Sequence, residues 1–381
     1  MQAAIDEVRG ARAEMTRALR ALVEEPSFTR DKAGADRAGA LVRELLPWDA
    51  EIAASQRFGD HLFFHRGRGP GGPGVVLVGH LDTVFPRGTF EGYREEGDVA
   101  RGPGVLDMKG GLVVIAFALR ALARNGLLDG LGVSVAVVSD EEVGSPESAA
   151  RLRDVARGAH AALVFESGRA GDAIITRRKG TGTVTAEAVG RAAHAGNAHH
   201  LGASAIRAMA RWVDRAEALT DPARGVTVNV GTIAGGTSKN TVPERCRAEV
   251  DFRFVEPGDG EAVVRAFEAI AREVGPAGTA VTLGGGVSRR PLTRTPESDA
   301  LRARYAACQR AAGLGEAEAG LVGGGSDAST TADAGVASID GLGPRGEGFH
   351  TTGEYVELAT LAPKAEALVR FLAGEAAALR G

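Results

Sequence analysis

The sequence predicts an α/β fold: a mainly parallel sheet with helices on both faces, interrupted by an inserted α+β domain. Three apolar runs have the composition of buried strands, and helical segments separate them: Val75–Val78, Val133–Val138 and Ala161–Phe165. Between about residues 177 and 289, apolar and polar residues alternate instead, which is typical of strands with one face in solvent.

The elements of the first segment follow in chain order. An amphipathic helix is predicted near Ile5–Glu24, and an edge strand at Asp60–His65. A helix from about Gly111 to Arg124 separates the first two apolar strands, and a helix near Glu147–Arg157 precedes the third. Strands joined through helices are expected to run parallel.

The alternating segment has a different order of elements. We predict strand, helix, two strands, helix and strand at Thr183–Val189, Ala203–Leu219, Val226–Ile233, Arg247–Phe254, Glu261–Val274 and Thr279–Leu283. This β-α-β-β-α-β order is the ferredoxin-like arrangement.

The pattern of the first segment resumes after Pro291. A helix, a strand and a closing helix are predicted at Ser298–Ala312, Gly335–Asp340 and Val356–Leu379. We therefore expect a catalytic domain in two parts, residues 1–176 and 291–381, with residues 177–290 as the inserted domain.

Composition excludes several classes of protein. The 381 residues are 44% hydrophobic and carry a formal net charge of −4. No apolar run approaches the roughly 20 residues of a membrane helix, and the N-terminus lacks the hydrophobic region of a signal peptide. No dense basic run is present. We expect a cytoplasmic globular protein without membrane or nucleic-acid partners.

Cysteine usage restricts the kind of metal site that the chain can build. Cys246 and Cys308 are far apart and form no C-x-x-C pattern, so neither a disulfide framework nor a thiolate zinc site is indicated. A metal would therefore have to be bound by histidine and carboxylate side chains.

Chemically active side chains follow the predicted strands and open two loops. They are His80 with Asp82, Asp140-Glu141-Glu142, Glu166, Asp107 in a turn before a helix, and His350 in a glycine-rich loop. In open α/β sheets, ligands bind outside the carboxyl ends of the strands, where these residues are expected to meet. On an extended strand, His80 and Asp82 would face the same way, so that the carboxylate could accept the second imidazole N–H and orient the ring.

Each of these residues also has an ordinary structural explanation. Asp107 could be a helix N-cap, Glu141 and Glu142 an acidic first turn, and His350 a loop residue. Taken together at one sheet edge, they favour a metal site. Histidine with carboxylates suits zinc, cobalt or manganese better than calcium, and one shared carboxylate would give a two-metal site.

The motifs resemble those of the dinuclear zinc aminoacylase and carboxypeptidase family. They are Gly79-His80-Leu81-Asp82-Thr83-Val84, Gly104-Val105-Leu106-Asp107-Met108-Lys109-Gly110-Gly111, Asp140-Glu141-Glu142-Val143-Gly144-Ser145, Gly323-Gly324-Gly325-Ser326-Asp327-Ala328 and the His350 loop. That family includes glutamate carboxypeptidase, acetylornithine deacetylase and succinyl-diaminopimelate desuccinylase. The run from Gly341 to Val356 is most similar to the glutamate carboxypeptidase branch.

The resemblance implies two divalent metal ions, zinc in the first place. Asp107 would bridge the ions, His80 and Glu166 would hold one, and Glu142 and His350 would hold the other. It further implies that Asp82 orients a ligand and that Glu141 is the general base for hydrolysis of an amide by metal-activated water.

The resemblance also gives the inserted domain a role in dimerisation. His194, in Ala193-His194-Ala195-Gly196, would stabilise the oxyanion in the partner subunit's active site. The family commonly has Pro-Glu shortly after this motif, whereas this chain has Asn197-Ala198-His199-His200. We do not expect His199 or His200 to be metal ligands.

Residues in and near the inserted domain are implied in substrate binding. By resemblance, the candidates for a substrate carboxylate and its surroundings are Lys179, Asn240, Arg253, Arg290 and Gly325. The predicted activity is cleavage of an N-acyl amino acid or small peptide, with release of a C-terminal amino acid such as glutamate. The alternatives are an aminopeptidase or dipeptidase of the same family and a catalytically inactive metal-dependent binding protein.

Overall fold

The computed structural model describes residues 1–67 and 74–379. The helices are α1 (Gln2–Gly10), α2 (Arg12–Glu24), α3 (Lys32–Leu45), α4 (Gly110–Arg124), α5 (Ser148–Ala156), α6 (Ala205–Glu217), α7 (Pro257–Val274), α8 (Pro296–Ala311), α9 (Asp327–Asp333) and α10 (Leu361–Ala378). The strands are β1 (Ala50–Ala53), β2 (His61–Arg66), β3 (Val75–His80), β4 (Arg94–Glu96), β5 (Val99–Arg101), β6 (Val133–Val138), β7 (Ala161–Val164), β8 (Gly180–Val189), β9 (Ala193–His194), β10 (Thr227–Gly235), β11 (Thr241–Val242), β12 (Arg245–Phe254), β13 (Ala280–Arg289), β14 (Ser338–Ile339), β15 (Gly346–Glu347) and β16 (Tyr355–Glu357).

These elements form two compact units. The first unit comprises Met1–Arg177, Thr293–Val322 and Ser326–Gly381, and the second comprises Arg178–Leu292 with Gly323–Gly325. The second unit is thus a continuous insertion into the first, apart from a three-residue glycine segment.

The first unit is built on a six-stranded sheet in the order β1-β2-β6-β3-β7-β14. Strands β6, β3, β7 and β14 are parallel to one another, whereas β2 pairs antiparallel with both β6 and β1 at one end of the sheet. All six residues of β3 are buried. Val75 and Leu77 join the large apolar core that contains α4 and α10, while Val76 and Val78 point to the opposite face, where α5 packs on β6 and α9 packs on β7. The α/β fold with a mainly parallel sheet is confirmed.

A small antiparallel sheet completes the first unit. Its order is β15-β16-β5-β4, so that the chain after β14 pairs with strands that precede α4. This pairing brings the loop that carries His350 into the same unit as the earlier motifs.

The second unit has the ferredoxin-like topology. Its sheet has the order β10-β12-β8-β13 with every pairing antiparallel, and helices α6 and α7 pack on one face. The core contains Trp212 on α6, Phe267 on α7 and Phe252 on β12, all fully buried. The Trp212 indole N–H donates to the backbone oxygen of Phe267 at 3.2 Å.

Three predictions for individual elements are wrong. The closing helix expected from Val356 begins only at Leu361, because Tyr355–Glu357 forms strand β16 and pairs with β5. The helix expected at Ile5–Glu24 is divided into α1 and α2, because α1 ends at Gly10, a weak helix former. The strand expected at the sheet edge, β2, lies inside the sheet, because the short strand β1 pairs along its outer side.

Candidate metal centre

The parallel strands bring the polar motifs to one edge of the sheet. His80 is the last residue of β3, the acidic turn Glu141–Val143 follows β6, and Glu166 follows β7. Because β6, β3 and β7 are adjacent and parallel, their carboxyl ends lie side by side. The sheet therefore gathers these side chains, as expected from the sequence.

Five of the side chains form two groups that share one carboxylate. The ligand atoms of His80, Asp107 and Glu166 all lie within 4.8 Å of one another, and so do those of Asp107, Glu142 and His350. These are the five residues that the sequence indicates as metal ligands.

Asp107 directs one carboxylate oxygen to each group. Its Oδ1 lies 3.3 Å from His80 Nε2, and its Oδ2 lies 3.4 Å from His350 Nε2. His80 Nε2 is also 3.6 Å from Glu166 Oε1, and His350 Nε2 is 3.1 Å from Glu142 Oε2. A carboxylate with one oxygen in each group has the geometry of a bridge between two cations.

These side chains fit divalent metal ions. Asp107 Oδ1 is buried and makes no hydrogen bond of ordinary geometry with any described residue. A buried polar atom without a partner is unfavourable, and a metal ion would satisfy this one. Two imidazole nitrogens and three carboxylates are a donor set that zinc, cobalt or manganese accepts.

The pKa values of the ligand side chains are shifted because these side chains are buried and several charged groups lie close together. Hydrogen bonds with Asp107 and Glu142 raise the pKa of His350 to about 10. Burial raises the pKa of Glu142 to about 7, and burial followed by the charge of Asp107 raises the pKa of Glu166 well above its ordinary value. Burial would also raise the pKa of Asp107, but the adjacent imidazoles of His350 and His80 hold it below its ordinary value. The negative charges of the neighbouring carboxylates repel one another, and a bound cation would reduce this repulsion.

The orientation of His80 differs in detail from the sequence expectation. Its Nδ1 donates to the backbone oxygen of Asp82 at 3.0 Å, whereas the Asp82 carboxylate Oδ1 is 3.4 Å away. A carbonyl can only accept, so Nδ1 carries a hydrogen, and Nε2 is the ring nitrogen that faces Asp107 and Glu166.

The Asp82 carboxylate holds the acidic turn after β6. Its Oδ1 accepts the backbone N–H of Glu141 at 3.2 Å, and its Oδ2 accepts that of Glu142 at 3.2 Å and the hydroxyl of Thr29 at 2.8 Å. Asp82 is fully buried, so these hydrogen bonds are shielded from water.

Glu141 is a member of neither ligand group, although it lies next to both. Its side chain is buried, and its negative charge contributes to the raised pKa values of Glu142 and Glu166. A carboxylate beside a metal centre is suitably placed for proton transfer.

In the second unit, His194 and Asn240 come together. Strand β9 pairs with β11 so that His194 is opposite Thr241, and the backbone oxygen of Asn240 accepts the N–H of Ala195. His194 Nδ1 accepts the backbone N–H groups of Gly196 and Asn197, at 3.2 and 3.1 Å. In the neutral ring the hydrogen is therefore on Nε2, which makes this exposed nitrogen a donor.

The other candidates for substrate binding have partners of their own within the second unit. The guanidinium of Arg253 forms a bidentate pair with Asp251, with both distances 2.7 Å. Lys179 Nζ donates to the backbone oxygen of Gly225 at 2.8 Å. Arg290 is exposed, and a Cβ placed on Gly325 would lie 3.1 Å from Thr181 Cγ2 and 3.4 Å from Arg289 Cδ.

Two further observations concern residues outside the centre. The exposed side chains of His199 and His200 belong to neither of the ligand groups found in the described part of the chain. Sequence analysis missed the buried Glu354, which accepts hydrogen bonds from the backbone around Asp107. The acid four residues after His350 was visible in the sequence, but nothing indicated its partners.

The helices in the described ranges, 1–67 and 74–379, include none that is long and apolar enough to cross a membrane.

Comparison with known proteins gives a match in the inserted segment. Residues 176–279 match the family model described as a peptidase dimerisation domain. The segment predicted from its alternating pattern is thus a recognised module of peptidases.

Full-length relatives extend the similarity to the first unit. Carboxypeptidase G2 of Pseudomonas sp. (strain RS-16) is 32% identical over 303 residues, which cover 77% of this chain and 72% of that protein. Succinyl-diaminopimelate desuccinylase of Rhizorhabdus wittichii is 30% identical over 332 residues, covering 81% and 84%.

Solved structures share the fold at low sequence identity. A tripeptidase from Staphylococcus aureus superposes with a TM-score of 0.76 at 20% identity, over 96% of this chain and 99% of the other. An M20 family metallo-carboxypeptidase from Sulfolobus solfataricus gives 0.75 at 16% identity, over 94% and 98%.

The fold, the paired ligand groups and these relatives define a metal-dependent hydrolase of amide or peptide bonds. The chain belongs to the M20 family of metallopeptidases and related deacylases, as its motifs indicated.

Proposed function

We propose that this protein is a two-metal carboxypeptidase or deacylase that releases a C-terminal amino acid, such as glutamate, from an N-acyl amino acid or small peptide. The observation that carries the proposal is the position of Asp107, whose two carboxylate oxygens face the two ligand groups separately. The 32% identity to carboxypeptidase G2 supports the preference for a C-terminal amino acid.

Two zinc ions are the proposed cofactors. His80 and Glu166 would hold one ion, Glu142 and His350 the other, and Asp107 would bind both. When bound, such ions polarise the scissile carbonyl and lower the pKa of water. Cobalt or manganese would suit the same ligands.

Glu141 is the proposed general base. One of its carboxylate oxygens would take the proton of the attacking water and pass it to the nitrogen of the leaving amine. The hydrogen bond from the Glu141 backbone N–H to the Asp82 carboxylate would keep Glu141 beside the reacting atoms. The hydrogen bond from the His80 imidazole N–H to the Asp82 backbone oxygen would keep Nε2 directed at the ligand group.

The proposed active form is a homodimer. The dimerisation domain, which we place at residues 177–290, would carry His194 to the active site of the second subunit, where Nε2–H donates to the developing oxyanion. The fixed tautomer supports this role, because the donor is available without protonation of the ring.

The proposed substrate carboxylate is bound by residues of the second unit. Arg253 and Arg290 offer guanidinium groups, Asn240 and Lys179 offer side-chain N–H donors, and Gly325 is the remaining candidate. If Asp251 stayed paired with Arg253, it would orient the guanidinium group toward the substrate. Alternatively, the substrate carboxylate would take the place of Asp251 on the guanidinium group.

The experiment is a screen of N-acyl amino acids and dipeptides with zinc, cobalt or manganese, with a chelator-treated control. Hydrolysis of N-blocked substrates, and a loss of at least about 100-fold in kcat/KM when the α-carboxylate is amidated, would support the proposal. Activity confined to peptides with free N-termini would make the enzyme an aminopeptidase. Protein that binds its ions and cleaves none of the compounds would be a binding protein.

A further inference from the structure

Glu354 is a buried carboxylate that accepts three backbone hydrogen bonds. Its Oε2 accepts the N–H of Gly104 at 3.1 Å, and its Oε1 accepts those of Leu106 and Asp107 at 2.8 and 2.9 Å. The side chain is fully buried, so water does not compete for these bonds.

The three N–H groups belong to the segment that presents Asp107. This segment is not part of either sheet of the first unit, so its buried N–H groups lack partners in a strand ladder. Buried backbone donors are nearly always paired, and Glu354 pairs these three. The position of the Asp107 carboxylate between the two ligand groups therefore depends on a side chain almost 250 residues further along the chain.

The same residue closes the turn that carries His350. The N–H of Glu354 donates to the backbone oxygen of Thr351 at 3.2 Å, and the N–H of Thr351 donates to that of Gly348 at 3.0 Å. His350 itself has a left-handed backbone with φ of 63°, and half of its side chain is exposed. Surrounding side chains thus restrain this ligand less than His80, which is 1% exposed.

His80 and Glu166, which form the other ligand group with Asp107, are supported independently of Glu354. His80 ends β3, which is paired on both sides by β6 and β7, and its ring is fixed by the backbone oxygen of Asp82. Glu166 follows β7, and its backbone oxygen accepts the N–H of Gly343 at 2.9 Å. None of these contacts involves Glu354.

We propose that Glu354 is the positioning residue of the second metal site: it holds the Asp107 backbone and the His350 turn together so that Asp107, Glu142 and His350 can bind one ion. This inference rests on the proposed two-metal function. It adds that the buried side chain of Glu354 determines whether the second ion is retained. Two ligands of this site depend on Glu354, whereas the site of His80 and Glu166 shares only Asp107 with it.

The test is the metal content of Glu354→Gln. Glutamine has nearly the same shape but a single acceptor oxygen, so at least one of the three buried N–H groups loses its acceptor. Residues that orient metal ligands typically contribute about 10–100-fold to affinity. At a free zinc concentration that just fills both wild-type sites, dialysis followed by metal analysis should give two ions per wild-type chain and one per variant chain.

Glu366→Gln is the matched control. Glu366 is also a buried carboxylate near the C-terminus, but its partners are Arg9 and Arg370, away from both ligand groups. This variant should retain two ions even if its melting temperature falls. Circular dichroism establishes that each variant is folded. If Glu354→Gln does not fold, Glu354→Asp, which keeps the charge but shortens the reach, should show a weakened second ion.

The outcomes separate the inference from the proposed function. Two ions with wild-type affinities in folded Glu354→Gln, an equal loss of affinity at both sites, or loss of an ion from Glu366→Gln would each overturn the role of Glu354 while leaving the two-metal function intact. Fewer than two ions in the wild-type protein would overturn both.

Discussion

The carboxylate of Asp82 accepts the backbone N–H of Glu141 at 3.2 Å, while the backbone oxygen of Asp82 accepts the imidazole N–H of His80 at 3.0 Å. One residue therefore positions the proposed base through its side chain and a proposed ligand through its main chain. Substitution of the side chain removes the first contact and leaves the second in place.

Asp82→Ala should consequently reduce turnover more than it reduces binding of the ion held by His80. The N–H groups of Glu141 and Glu142 would lose their acceptor, and we expect a fall in kcat of about 10–100-fold at saturating metal. Steady-state kinetics with parallel metal analysis measure both effects. Thr29→Val, which removes one hydroxyl donor to Asp82, is the control and should have a smaller effect. Wild-type kcat in folded, metal-loaded Asp82→Ala would contradict this prediction.

Glu141→Gln should retain both ions and lose nearly all activity. The amide cannot accept the proton of the attacking water, and general-base catalysis contributes about 10²–10⁴-fold. Single-turnover rates and metal content of the same sample provide the measurement. Glu147→Gln, in the same loop but hydrogen-bonded to Ser55, should remain active. An unchanged rate in Glu141→Gln would remove Glu141 from the mechanism.

His194 can be tested by subunit exchange. His194→Ala should lower kcat by about 10²–10³-fold, as expected for one oxyanion donor. If the residue acts in the partner subunit, equal mixtures of His194→Ala and Glu141→Ala should recover about one quarter of wild-type activity, because half of the dimers are mixed and each has one complete site. Absence of recovery after demonstrated subunit exchange would place His194 outside the partner's active site.

The thiols should be unreactive at neutral pH. Burial raises the pKa of Cys308 to about 11 and also raises that of Cys246 above its ordinary value. A raised thiol pKa lowers the thiolate fraction at any given pH, so modification of Cys308 by a disulfide reagent should accelerate about tenfold per pH unit from pH 8 to 10. Stopped-flow absorbance on native Cys246→Ser measures this rate. Rapid reaction at pH 7 would show that the thiol is not protected.

The ligand groups were predictable because their residues are tied to strand ends. His80, Glu142 and Glu166 each follow an apolar run that is visible in the sequence, and parallel strands place their carboxyl ends together. Asp107 and His350 are in loops, so their membership of the ligand groups was predicted from motif resemblance rather than from hydrophobic periodicity.

Most of the supporting contacts were not predictable, because they join side chains to backbone atoms of segments far apart in sequence. Glu354 meets the backbone at Asp107 only once β16 has paired with β5. Lys109, two residues after Asp107, is fully buried and donates to the backbone oxygens of Leu22 and Glu25. The pairing of Arg253 with Asp251 likewise depends on rotamers that sequence patterns do not specify.

The position of β14 has a consequence for synthesis of the chain on the ribosome. Strands β3, β6 and β7 are translated before the second unit, but β14, which covers the edge of β7, is translated after it. A nascent chain that ends within the second unit therefore exposes the unpaired backbone of β7 and lacks His350. Exposed strand edges promote aggregation, so we expect the nascent chain to be prone to aggregation until β14 has been synthesised and has paired with β7.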